Sequence, residues 1–410
     1  MKQYLQLLQT ILDDGEKSSD RTGTGTLRIP GYHYACKMYK DDQGIIHNFP
    51  LLTTKFVSLK SVFEELKWKL SGDTNIKFLV EHNNHIWTEW PFKKWLEETG
   101  QTELLKNMWK NDEKSAYSDE WKATLKEFET KILENEDFCK EWGELGHTYG
   151  FQFRHSGELR SHCPGIINDI THPGVDQLMS AIDKIKKNPD SRRIIIDLWN
   201  PQDEDKTLLP PCPCFYQFLV YRSGTINLSM TQRSCDTFLG VPYNTAQESL
   251  LLCMVAQVTG YKPNIFNHFF NDAHIYLNHI DQVKEQLTRT PHPLPSIRLN
   301  PDVKNILDFK WEDIELIGYE HDAGIRGAVS IWMKSFSKNR RNIVFCGLFY
   351  ILKFYATVNQ NLILQFSLSN VSLRVSQSVF HSEISIIKAS SFRNSANSFT
   401  IFFISSLSDW

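Results

Sequence analysis

Leu209 to Asn244 reads LPPCPCFYQFLVYRSGTINLSMTQRSCDTFLGVPYN. Two apolar runs, Phe215–Tyr221 and Ile226–Met230, flank Ser223-Gly224-Thr225, a pattern that predicts a β-hairpin. With the turn centred near Ser223-Gly224, residues whose numbers sum to about 447 lie opposite each other. Cys214 then faces Arg233, and Cys212 faces Cys235. Side chains two apart share a strand face, so Cys212 sits diagonally across from Arg233, roughly 7–8 Å away at Cα. Pro210 and Pro211 have no backbone N–H to pair inside a sheet, which puts Cys212 at the open end of its strand, within reach of a small molecule. A thiol beside a guanidinium has its thiolate favoured, and the thiolate is the nucleophile. Two plainer readings stand beside this one. Cysteine commonly serves as a small buried hydrophobe. Cys212-Pro213-Cys214 also has the form of half a metal site, although no second Cys/His pair at zinc-like spacing accompanies it. Spacing alone leaves nucleophile and core cysteine open.

Composition narrows the setting. A chain of 410 residues can bury a large core, as one large domain or two or three smaller ones. A formal net charge of -3 gives no electrostatic case for nucleic acid or a membrane surface as the main partner. The N-terminus, MKQYLQLLQTILDDGEK, carries polar residues throughout and is unlike a secretory signal. No stretch reaches the roughly 18 uninterrupted apolar residues of a membrane span. Eight cysteines without a signal peptide point to reduced thiols and a cytoplasmic location rather than a disulfide framework.

Along the chain, Tyr4, Leu5, Leu7, Leu8, Ile11 and Leu12 recur at helical spacing until Asp13-Asp14-Gly15. Asp20 to Thr26 reads as a glycine-threonine turn, and Arg21 within it also suits a phosphate clamp, because guanidinium matches phosphate oxygens two at a time. Phe56 to Leu70 is a helix with Val57, Val62, Phe63, Leu66 and Leu70 as its apolar side; Glu64 and Glu65 on it read as solvated carboxylates. Pro91 to about Glu144 is a small helical insertion with a solvated face and no assigned chemistry. Ser156–Thr171 reads as a surface loop, in which His162 and Cys163 do not make a metal site. Asp176 to Lys187 is an amphipathic helix, and Ser191-Arg192-Arg193 leads into Ile194–Trp199, a strand buried on both faces. Thr245–Val258, apolar on nearly every side apart from Gln247 and Glu248, predicts a buried helix with Cys253 in the core. His274 and Tyr276, two apart, share a strand face.

Several motifs then converge. Leu209-Pro210-Pro211-Cys212, Gln232-Arg233-Ser234, Asp236, Gly240-Val241-Pro242-Tyr243-Asn244 and Asp272-Ala273-His274-Ile275-Tyr276 closely resemble thymidylate synthase. The resemblance runs in order from about Tyr4 to Ile331, with the long insertion of some bacterial members. His147 to Arg154 resembles the family's Tyr-Gly-x-Gln-Trp-Arg, with Phe153 in place of tryptophan. The fold implied is α/β of the α+β type: a large mixed or antiparallel sheet packed with helices, forming an obligate dimer through the sheet face. The reaction implied is reductive methylation of dUMP to dTMP by 5,10-methylenetetrahydrofolate, which leaves as dihydrofolate and supplies both the carbon and the hydride, with no metal or nicotinamide.

The same resemblance assigns residues. Cys212 is the nucleophile on pyrimidine C6. Arg233 keeps it ionised and binds phosphate with Arg21, Ser234 and the partner subunit's copies of Arg192 and Arg193, while Gln232 and Asp236 join the nucleotide contacts. Asn244, with an acceptor and donors on one amide, suits the O4/N3–H edge of uracil. His274 and Tyr276 hold the ribose 3′ hydroxyl. Glu65 manages proton transfer through ordered water, and Tyr149 helps it. Trp87, Trp90, Asp236 and Gly240 form the folate site. The partners implied are therefore dUMP, the folate and a second copy of the chain. Lys67 and Lys69 depart from the pattern, standing where large apolar residues are usual, and bear on how the Glu65 helix packs. Alternatives are a pyrimidine nucleotide hydroxymethylase of the same superfamily and an inactive nucleotide-binding dimer.

Gly318 to Ile331 loosely resembles the family's closing segment, with Ile325-Arg326-Gly327-Ala328-Val329 where Ile-Lys-Ala-Pro-Val is common. Family members end there, and their terminal carboxylate helps close the site over the folate. Here 332–410 continues with no proline, one glycine (Gly347), and Glu383 and Asp409 as its acids. Its apolar decapeptide Ile343–Leu352 is too short to span a bilayer. Read-through of sequence that does not normally encode protein, a partly disordered appendage and a small partner module are three accounts of it. The first fits best, because exposed aromatics without acidic gatekeepers are an aggregation hazard.

Overall fold

The computed structural model describes residues 1–20, 22–110, 116–160 and 170–329, together with three short strands at 363–367, 373–376 and 398–399. The chain divides into two units, Met1–Lys334 and Ser335–Trp410.

The first unit is built on one large mixed sheet and also holds a smaller antiparallel sheet of Tyr39–Lys40, Ile45–His47, Ser296–Leu299 and Ile314–Ile317. The strands of the large sheet are β1 (Glu16–Ser18), β2 (Thr26–Lys37), β3 (Ile195–Asp197), β4 (Pro213–Tyr221), β5 (Thr225–Gln232), β6 (Cys235–Asp236) and β7 (Lys262–Tyr276). They run in the order β1-β2-β7-β5-β4-β3, with β6 paired to β7. Only β7 makes parallel pairings, to β5 and β6; the rest are antiparallel. The fold is therefore the helix-covered mixed sheet that the resemblance implies.

The helices include α1 (Lys2–Asp14), α2 (Leu59–Ser71), α3 (Tyr149–His155) and α4 (Gly240–Thr259). Ser58 caps α2 by accepting the Ser61 N–H, and Gly72 ends it in the left-handed conformation at φ 86°, as such positions favour. α4 is buried almost all round, from Thr245 through Val258, as an apolar circumference requires. α3 crosses the turn after α2 so closely that a Cβ on Gly150 would fall 2.1 Å from the Asp73 carbonyl oxygen; only glycine permits that approach. Phe153 is fully buried and its ring lies 5.8 Å from that of Tyr216.

The central hairpin forms, in a different register from the one expected. Tyr221 pairs with Thr225, so Arg222-Ser223-Gly224 is a three-residue loop closed by Gly224 at φ 79°, rather than a turn centred between Ser223 and Gly224. A bulge between Pro213 and Phe215 then shifts the ladder again, and Pro213 faces Gln232. The extra residue is Cys214. Cys212 consequently stands directly opposite Arg233, whose N–H donates to the Cys212 carbonyl at 2.9 Å, instead of diagonal to it and opposite Cys235.

The insertion is helical, as expected, through Glu89–Glu98, Thr102–Lys106, Asp119–Glu134 and Glu136–Trp142, and carries its own aromatic core of Phe92, Trp95, Trp121 and Phe128. Leu159–Arg160 pairs with Ile170–His172, so the segment read as a plain loop has a short hairpin at its base; His162 and Cys163 lie outside the described residues. No helix among the described residues is long and apolar enough to cross a membrane. In the second unit, Ile363–Ser367 pairs antiparallel with Leu373–Ser376 and with Ser398–Phe399; Ile343–Leu352 lies outside the described residues.

Candidate active site

Cys212 sits just ahead of β4, half-buried. Three contacts hold it there. Its N–H donates to Tyr149 Oη at 2.7 Å, its carbonyl accepts from Arg233, and the Arg233 side chain grips the two residues before it. Arg233 Nε donates to the Pro211 carbonyl and Nη2 to the Pro210 carbonyl, both at 2.8 Å. The guanidinium also packs over the Trp199 ring at 5.0 Å. Bonds to paired carbonyls fix a planar fork in position, so the charge is locked beside the cysteine loop. Burial pushes the Cys214 thiol up, with the Arg233 charge pulling the other way. Tyr149 is pushed well above the ordinary phenol range, chiefly by burial, and is a neutral hydroxyl.

On the far side of Tyr149 lies Glu65. Rather than a solvated carboxylate it is 5% exposed, because α2 turns it inward against α4. Trp87 Nε1 donates to Glu65 Oε1 and Gln247 Nε2 to Oε2, both at 2.8 Å. Lys69, one turn further along α2, is 3% exposed. Its ammonium lies 2.8 Å from Glu65 Oε1, donates to Gln247 Oε1 at 2.7 Å and sits over the Tyr149 ring at 4.4 Å. The two lysines of α2 are accommodated differently: Lys69 is fully paired, and Lys67 is half-buried against a small cavity of about 140 Å³ that Phe63 and Met254 also line.

A second network fixes Asn244. His268 is fully buried, which pushes its imidazole well below the usual range and keeps it neutral. One neutral ring has one N–H to give. His268 Nε2 and Gln232 Oε1 are 2.9 Å apart, and Gln232 Nε2 donates to Asn244 Oδ1 at 3.1 Å and to the Ser234 carbonyl at 3.1 Å. With the ring proton on Nε2, Nδ1 accepts from Thr245 Oγ1 at 3.2 Å, and Thr245 in turn meets Tyr34 Oη at 2.6 Å. The relay runs in one direction and leaves the Asn244 amide N–H groups for a ligand.

The remaining expected residues divide. His274 and Tyr276 share a face of β7 with ring centroids 5.2 Å apart. Trp87 and Trp90 are 5.3 Å apart, with Tyr149 5.6 Å from Trp87, an aromatic wall suited to a flat heterocycle. Asp236 Oδ1 accepts the N–H groups of Phe238 and Leu239 at 3.1 Å, and Gly240 opens α4 just beyond. Arg192 and Arg193 are exposed ahead of β3 and share no hydrogen bond with the Cys212 group among the described residues. Arg21 lies outside the described residues; the turn around it is drawn in by Asp20, whose Oδ1 accepts from Thr24 and Gly25 at 3.0 and 2.7 Å. Among the described residues no cluster of His, Cys, Asp or Glu is arranged for a metal ion. Sequence reasoning missed Gln247 as a ligand of Glu65 and treated Lys69 only as a packing question. The i,i+4 acid–base spacing of Glu65 and Lys69 was the available signal. It missed Lys55 as well, whose ammonium donates to the Phe238 carbonyl and is lowered by burial to about 7.

A half-buried cysteine at a strand end, a locked guanidinium beside it and a buried carboxylate across a neutral tyrosine are the equipment of an enzyme of covalent catalysis. The family follows from comparison: residues 2–331 match the thymidylate synthase family, and the chain belongs to it. It is 43% identical over 331 residues to the thymidylate synthase of Mesoplasma florum and 44% identical over 334 to that of Mycoplasma mobile. To the thymidylate synthase of Listeria innocua it is 40% identical over 333 residues. Each alignment covers 81% of this chain and 100% of the relative.

Proposed function

We propose that this chain converts dUMP to dTMP by reductive methylation, with Cys212 as the nucleophile. The observation that supports it most is Cys212 held half-open at a strand end between Tyr149 and Arg233. The Cys212 thiolate bonds to C6 of the pyrimidine, and the electron pair released develops at C5 and O4. Asn244 meets that edge with an N–H for O4 and a carbonyl for N3–H. C5 then bonds to the one-carbon unit, and its proton departs through ordered water toward Glu65 and Tyr149. As that proton leaves, the bond between the one-carbon unit and the folate nitrogen breaks, giving an exocyclic methylene at C5; hydride from the tetrahydrofolate adds to it, and the displaced electron pair expels the Cys212 thiolate from C6 and restores the C5–C6 double bond. The 5,10-methylenetetrahydrofolate co-substrate supplies the methylene and, on oxidation to dihydrofolate, the hydride. Trp87 and Trp90 wall its ring, with Asp236 and Gly240 beside them.

Arg233 and Ser234, with Arg21, bind the nucleotide phosphate, and two subunits complete each other's sites with Arg192 and Arg193. The enzyme acts in the cytoplasm, and 332–410 is an appendage outside the catalytic domain at 1–331. Mixing the chain with dUMP and methylenetetrahydrofolate tests the activity: dihydrofolate appears, whereas a hydroxymethylase releases tetrahydrofolate and an inactive binder releases neither.

A further inference from the structure

The buried group around Lys69 goes beyond the residues that reaction needs. Glu65 accepts three N–H donors, from Trp87, Lys69 and Gln247, and donates to none of them. A carboxylate offers about four acceptor positions, so these three donors leave one for a ligand. Lys69 Nζ faces Glu65 on its own helix, Gln247 from α4 and the Tyr149 ring from α3. Glu248 on α4, 2% exposed, also feels the Lys69 charge and takes the Tyr216 hydroxyl on Oε1 at 3.0 Å. Glu248 Oε2 is buried with no hydrogen-bond partner among the described residues. Burial pushes Glu248 up to about 7, the Lys69 charge opposing. Two buried carboxyl groups and one buried ammonium therefore lie together behind the cysteine's tyrosine.

A buried ion pair is weak support for stability, because removing both charges from water offsets most of their attraction. Lys69 takes space that an apolar side chain would fill without that cost. Its effect is on position.

We propose that Lys69 is a positioning residue for the methylation: clamped between Glu65 and Gln247 beneath Tyr149, it fixes the Glu65 carboxylate at the orientation that moves protons to and from the bound pyrimidine. This rests on the reading of the chain as a dUMP-methylating enzyme. Lys69→Met removes the ammonium and keeps the volume. In Lys69→Met, kcat falls by about 10- to 100-fold, in the range of a mispositioned acid–base group, while KM for dUMP stays within about threefold. The kcat–pH profile changes shape, and Lys69→Arg recovers much of the rate. Trapping of Cys212 by 5-fluoro-dUMP with the folate stays stoichiometric, because the nucleophile is untouched. If Lys69→Met does not fold, Lys69→Met/Glu248→Gln removes one charge of each sign and is read the same way. A folded variant with kcat and pH profile within twofold of the parent overturns the proposal and leaves the reaction standing. A parent chain that traps no 5-fluoro-dUMP removes both.

Discussion

Tyr149 Oη accepts the backbone N–H of Cys212 at 2.7 Å, so the cysteine's position is set by a hydroxyl delivered from a helix 63 residues away in sequence. Tyr149 also separates Cys212 from the Glu65–Lys69 pair. Covalent attack and proton transfer thus share one neutral phenol.

Removing that hydroxyl is informative on two scales. Tyr149→Phe leaves a half-buried N–H without its partner, at a cost of about 1–3 kcal/mol, seen as a lower midpoint in thermal unfolding. Turnover drops further than stability explains, by about 10- to 100-fold in kcat, because a proton-handling group is lost. A variant with the lower midpoint and unchanged kcat limits Tyr149 to a structural part.

Asn244 is oriented by the relay through Gln232 and His268. Asn244→Asp keeps the acceptor that Gln232 needs and removes the donors for O4 of uracil. The expected result is a fall of about 100-fold or more in kcat/KM for dUMP, as when a hydrogen-bonding site meets the wrong partner, with dCMP binding improved. Competition binding of the two nucleotides measures it, and an unchanged preference contradicts the assignment.

Stability carries a pH signature from Glu248, raised by burial from 4.5 to about 7. The folded state holds this proton more tightly than the unfolded chain, so the contribution is fully present below about 4.5 and is lost as pH rises through about 7. Glu89, raised to about 7 by burial, acts in the same direction. Glu248→Gln is uncharged throughout, so denaturant titrations between pH 5 and 8 show a shallower decline than for the parent. An equal decline rules Glu248 out as a contributor.

The chain continues beyond residue 331, where the match to the family ends. Just before that point, the Ala328 carbonyl lies 2.8 Å from His279 Nε2, and the Val329 carbonyl accepts from Tyr117 Oη at 2.9 Å. A version ending at Ile331 regains a terminal carboxylate at that point. Its turnover is expected to exceed that of the full chain; equal rates dismiss any hindrance by 332–410.

The fold was legible where several local signals agreed. The apolar circumference of Thr245–Val258 marked α4 as buried, and the hairpin was marked by its two apolar runs and glycine. The register was not legible, because a three-residue loop and a bulge at Cys214 each move the ladder by a step that no residue type announces. Those shifts set Arg233 directly opposite Cys212 instead of diagonal to it, and its side chain holds the cysteine loop through the Pro210 and Pro211 carbonyls. Glu65 and Lys69 show the opposite failure. Each alone reads as a surface charge, and only the packing of α2 on α4, distant in sequence, turns both inward to satisfy each other.

The most direct measurement is mass spectrometry of the chain after incubation with 5-fluoro-dUMP and methylenetetrahydrofolate. The account predicts one nucleotide–folate adduct per chain, mapped to the peptide bearing Cys212 and absent from Cys212→Ala. An adduct on another residue, or dTMP formed at full rate by Cys212→Ala, contradicts it.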